Sequence, residues 1–65
     1  MRLTLRALRI NKGLTLEQSA KTAGISKEAL AAYEKGHRYP KINVANRLSV
    51  LYGCDIQDID FLLPG

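Results

Sequence analysis

The sequence predicts an all-α fold of five short helices in one compact domain, and three observations carry that prediction. Glycines at 13, 24, 36 and 53 divide the chain into segments of helical length. Each segment is preceded or followed by a capping signal. Strand-like alternation of apolar and polar residues is nearly absent. A domain of 65 residues buries only about 60% of the surface its unfolded chain exposes, so its core must be economical. Residues 1–65 are expected to form a single unit, with no linker, repeat or low-complexity tract between such short connections.

The first helix is expected within "LTLRALRINK", where Leu5 and Leu8 share a face with Arg9 beside them, and Gly13 ends it. Thr15 and Gln18 stand at capping-box spacing and open the second helix, which runs to Ala23. Ser26 is a good N-cap for the third, which continues to about Lys35 before Gly36. In the loop "GHRYPK", Pro40 stiffens the approach to a fourth helix, from about Asn43 to Tyr52. Gly53 stops it, and Asp55 is placed to cap a fifth helix ending near Phe61.

Ten Lys and Arg against six Asp and Glu give a net charge of +4 and a pI near 9.6, which suits a polyanionic partner. Placement says more than the total. Arg2, Arg6, Arg9 and Lys12 load the start, Lys35, Arg38 and Lys41 surround the centre, and "DIQDID" concentrates acid near the end. The single cysteine, Cys54, excludes an intramolecular disulfide and is expected in the core. No His and Cys cluster has metal-ligand spacing, so neither metal nor cofactor is expected. No apolar run approaches the roughly 18 residues of a membrane span, and the chain is expected to be soluble and cytoplasmic. The one histidine and the one cysteine lie far apart, and no paired acids fall on a plausible cleft, so an enzyme or a small-molecule site is poorly supported.

The segment "LTLEQSAKTAGISKEALAAYEKG" is the most informative. Two short helices joined at Gly24 must cross steeply, which demands a small residue where their backbones meet, and Ala20 stands there. Ile25 inserts into the core from the turn, and Leu30 and Tyr33 continue its apolar stripe at helical spacing. Together with "LRALRINKGLT", "YEKG", the proline of the next loop and "LYGCDIQDI", this segment resembles the Cro/CI type of helix-turn-helix proteins, typified by lambdoid phage repressors and many small bacterial regulators. The resemblance spans nearly the whole chain. It implies a five-helix fold, lambda-repressor-like, with the helix-turn-helix at helices 2 and 3, that binds double-stranded DNA, usually as a homodimer. It also implies an ion pair between Arg9 and Glu34. Their flanking of the Leu5/Leu8 and Leu30/Tyr33 stripes agrees with that pairing, while solvated surface charges are the alternative.

In the docking mode that the resemblance implies, the N-terminal part of the third helix reaches base edges. Lys27, Glu28, Ala29 and Ala32 are then the candidates for base contact, through guanine O6 or N7, cytosine N4 and thymine methyls. Alanines read little, so direct readout is expected to be sparse and DNA shape or dimeric spacing to matter; alternatively the alanines are there only as helix formers. Phosphate contacts are assigned to the start of the second helix at Thr15 and Leu16, and to Lys35, Arg38, Lys41 and Asn43. Leu16 departs from the family, which usually has a glutamine there, as does Ser19, which stands where the family prefers a large apolar residue. His37 is a weaker candidate, and Tyr39 is expected to pack across its loop.

Leu3, Ala7 and Ile10 form a second apolar face on the predicted first helix, Val44 and Leu51 lie together on the fourth, and the chain closes with "FLLPG". Either the tail folds back over these residues or they form a dimer interface, with Phe61, Leu62, Val44 and Leu51 as candidates. The function expected is sequence-specific DNA binding by a small transcription regulator, a repressor. A protein-interaction module on the same fold, such as an antitoxin or anti-repressor, is the competing reading.

Overall fold

The computed structural model describes residues 2–62, which fill an envelope of 29 × 21 × 19 Å. Its elements in order are β1 (Leu3–Thr4), α1 (Leu5–Asn11), α2 (Leu16–Ala23), α3 (Lys27–Lys35), α4 (Ile42–Tyr52), a 3-10 turn (Ile56–Asp58) and β2 (Ile59–Asp60). The four α-helices surround a core of Leu5, Leu8, Ala20, Ala23, Leu30, Tyr33, Leu48, Tyr52 and Ile59. Ala20 and Ala23 are small and buried, so α2 packs closely against both α3 and α4.

Local chemistry sets the helix bounds. Thr15 and Gln18 form the reciprocal capping box, with Gln18 N donating to Thr15 Oγ1 at 3.1 Å and Thr15 N to Gln18 Oε1 at 2.9 Å. Ser26 Oγ accepts from Ala29 N at 3.0 Å and starts α3. Each α-helix ends in a Schellman turn, in which the amide beyond the glycine donates to a carbonyl of the last turn: Leu14 to Arg9, Ile25 to Ala20, His37 to Ala32 and Cys54 to Ser49. Gly36 needs its freedom twice over, because its φ is +76° and an added Cβ would come within 2.9 Å of Leu62 Cβ.

Two expectations are corrected. Among the described residues there is no fifth α-helix: residues 56–58 make one 3-10 turn, the Asp55 side chain does not cap it, and residues 59–60 are extended. The first helix begins at Leu5, not Leu3, because Leu3 and Thr4 pair in parallel with Ile59 and Asp60. Thr4 serves both elements, since its Oγ1 also accepts from Ala7 N at 3.1 Å as the N-cap of α1. The pairing places Ile59 at 0% exposure, so burial of this one side chain favours extended backbone over another helical turn. With Leu3 outside the helix, the proposed Leu3/Ala7/Ile10 stripe does not exist as a helical face. Leu3 packs on the core and Ile10 remains exposed.

Ser19 is fully buried and lies beside Tyr52 of α4, so a large aromatic ring occupies space that a large residue at position 19 would take. Cys54 is a half-buried free thiol against the core, and burial pushes its pKa up, with Asp58 and Asp55 adding to the rise. No helix among the described residues is long and apolar enough to cross a membrane, and no group of three potential metal ligands occurs among them.

Candidate nucleic-acid interface

The candidate residues converge on α3 and its two flanks. Lys27, Glu28 and Lys35 are exposed, Ala31 and Ala32 are half-exposed, and Leu30 and Tyr33 are buried. Ala29 is half-buried and packs on the core, so it offers only part of its methyl group outward. α3 is held from behind by Arg9, whose Nε donates to Glu34 Oε2 at 2.7 Å and whose Nη2 donates to Glu34 Oε1 at 3.2 Å. Arg9 Nη1 also donates to the Leu14 carbonyl at 3.0 Å, which ties α1, the loop after it and α3 through one guanidinium. The two side chains are 14% and 6% exposed, and the hydrogen bond to Glu34 raises the Arg9 pKa further.

The two ends of α3 differ in charge. At its start, Glu17, Lys21, Lys27 and Glu28 line a shallow groove of about 460 Å³ between α2 and α3, with Ala20 and Ile25 at its floor. Two acids and two lysines make this end electrically mixed. At the other end, exposed Lys35, His37, Arg38 and Lys41 carry the positive charge. The face is therefore electrically mixed where α3 starts and cationic at the loop after it, an arrangement that attracts a polyanion chiefly through that loop.

Several assigned residues are committed elsewhere. Leu16 packs partly on the core and carries no polar group, whereas the Thr15 oxygen accepts from Gln18 N in the capping box and keeps its own O–H as a donor at the start of α2. The Asn43 amide oxygen accepts from Val44 N at 2.9 Å, which leaves its NH₂ group as the donor. Val44, Leu51 and Phe61 are half-buried against the core, while Leu62 is 41% exposed. The rest of "FLLPG", residues 63–65, lies outside the described residues. Tyr39 is only partly covered. It is 47% exposed and lines an apolar cleft with Pro40, Ile42, Ala45, Ile56 and Phe61.

Two contacts have no local signature in the sequence. Arg47 of α4 donates from Nη1 to the Ala23 carbonyl at 3.4 Å, steadying the C-terminus of α2 beside Gly24. The Arg38 guanidinium lies over the Tyr33 ring, 5.8 Å from its centroid.

Comparison with known proteins places these features in a family. The family model described as helix-turn-helix matches residues 5–59. A cryptic phage CTXphi transcriptional repressor, RstR, of Vibrio cholerae is 34% identical over 55 residues, covering 85% of this chain and 50% of the relative. An uncharacterised helix-turn-helix-type transcriptional regulator of Archaeoglobus fulgidus is 30% identical over 59 residues, covering 91% of this chain and 84% of the relative. Another from Methanocaldococcus jannaschii is 34% identical over 59 residues, covering 91% and 89%. The chain thus spans half the length of the phage relative but most of the two archaeal ones. No solved structure gives a significant match. With α2 and α3 joined through Gly24 at φ +72°, an α3 braced by Arg9 and Glu34, and a family match over residues 5–59, the chain belongs to the Cro/CI-type helix-turn-helix family.

Proposed function

We propose that this protein binds double-stranded DNA sequence-selectively as a small transcription regulator, with α3 in the major groove. The observation that carries the reading is the face itself: a short helix, Ser26-capped, projects Lys27 and Glu28 at its start, and a cationic loop stands at its end. Lys27 and Glu28 supply the polar base contacts, Ala32 and the free edge of Ala29 allow close approach, and Lys35, Arg38, Lys41 and Asn43 take the phosphate backbone. The phage relative is by name a repressor, which supports repression as the mode of regulation. A homodimer completes the reading, because a face with two alanines at its centre gains discrimination from paired half-sites.

Selection of sites from a random duplex pool, followed by titration of the enriched duplex against salt, tests this reading. An inverted repeat with half-sites about one helical turn apart is expected. Binding that falls steeply with salt but enriches no sequence reduces the interaction to phosphate attraction. That second result favours a protein partner for the α2–α3 face, where Glu17 and Glu28 both stand beside lysines.

A further inference from the structure

Of the basic residues in the loop after α3, Arg38 alone has an ordered platform among the described residues. Its guanidinium carbon lies 5.8 Å from the centroid of the Tyr33 ring. Tyr33 is 8% exposed and belongs to the core, so the ring is held by packing, whereas Arg38 is exposed and keeps its donors toward solvent. The only ion pair among the described residues joins Arg9 to Glu34, so no carboxylate competes for Arg38. The loop geometry that brings the two together is also anchored: Gly36 turns the chain at φ +76°, and His37 N donates to the Ala32 carbonyl at 3.0 Å.

We propose that Tyr33 is a positioning residue for DNA binding, its ring holding the Arg38 guanidinium at the C-terminal end of α3 in the orientation that meets a phosphate. The inference rests on the reading of Arg38 as a phosphate contact and adds the residue that orients it. A flexible arginine loses rotamer freedom when it engages a phosphate, which weakens the contact. Stacking on a fixed ring restricts the side chain before DNA arrives. A planar guanidinium suits this role better than an ammonium, because it stacks through its face while donating through its edge. Loss of the platform is therefore expected to weaken binding by about two- to five-fold, the range of an exposed cation–π contact.

The test compares affinity for a labelled random-sequence duplex, over a range of salt and well below the unfolding temperature, for the wild type, Tyr33→Phe, Tyr33→Leu, Arg38→Ala, Arg38→Lys and the double variant Tyr33→Leu/Arg38→Ala. Tyr33→Phe keeps the ring and is expected to bind as the wild type does. Tyr33→Leu is expected to lose about two- to five-fold with its salt slope unchanged, since Arg38 still neutralises the phosphate. In the Arg38→Ala background the same leucine should cost nothing further. An equal loss in both backgrounds would show that Tyr33 acts through core packing and would overturn the proposal. Arg38→Lys, a surface change that does not endanger folding, decides the matter if Tyr33→Leu fails to fold: a retained slope with weaker binding supports the platform, and wild-type affinity overturns it. Arg38→Ala binding with unchanged affinity and slope is a different failure, that of the phosphate contact itself, and the inference falls with it.

Discussion

At the level of single residues, position relative to the groove decides what each charge contributes. Lys27→Ala should relax preference at one base position of the selected site, whereas a loss spread evenly over all sequences would make Lys27 a phosphate contact. The Arg9–Glu34 pair is a different case, because at 14% and 6% exposure neither charge is well solvated. Glu34→Ala leaves a guanidinium without its counter-charge and should cost about 3 kcal/mol in urea unfolding. A loss below about 0.5 kcal/mol would reduce the pair to an ordinary surface contact. Tyr52 gives a pH-dependent prediction. Burial raises its phenol pKa above the ordinary 10.0; the nearby Ser19 hydroxyl opposes the rise, yet no well-formed hydrogen bond joins the two oxygens. The neutral phenol is favoured in the folded state, so its contribution is fully present below pH 10.0 and is lost as pH climbs through the raised value. Tyr52→Phe should flatten that alkaline decline. At neutral pH the same change should be close to neutral or stabilising, because the hydroxyl removed has no partner.

Among the elements, what was legible in the sequence was what is encoded within a few residues. The capping box at Thr15 and Gln18, the Ser26 cap and the glycine stops act over spans of three to five positions, and α2 and α3 appear where those signals put them. The strands were not legible. Leu3–Thr4 and Ile59–Asp60 are two residues each, too short for any alternation to register, and they find each other across most of the chain. The candidate site divided in the same way: an outward Glu28 and Lys35, with Lys27 at the edge, followed from helical spacing, but the stacking of Arg38 on Tyr33 depends on how the loop folds back. Gly36 and Gly13 allow an element-level experiment. Both have positive φ, +76° and +70°, but only at Gly36 does a new Cβ meet another segment, at 2.9 Å from Leu62. Alanine at Gly13 should cost about 1 kcal/mol of backbone strain. Alanine at Gly36 should cost measurably more in thermal unfolding, and equal losses would mean that Leu62 yields freely.

Over the whole molecule, charge and apolar surface meet at the loop after α3. Exposed Arg38 and Lys41 alternate there with Tyr39 and Ile42, at 47% and 70% exposure, beside the cleft that Phe61 helps to line. Val44, Leu51 and most of Phe61 are occupied by the chain's own core, which shifts the proposed dimer contact toward Tyr39, Ile42 and Leu62. Ile42→Asp should then lower the apparent mass in sedimentation without lowering the unfolding temperature of the monomer. An unchanged mass would move the contact elsewhere or leave the chain monomeric. The strand pair has a mechanical consequence as well. β1 and β2 run in the same direction, with residue 2 just before one and residue 62 just beyond the other. Tension applied through those two positions drags the strands lengthwise past each other, so their hydrogen bonds share the load instead of opening one after another, and the helices behind them remain unloaded until that seam slips.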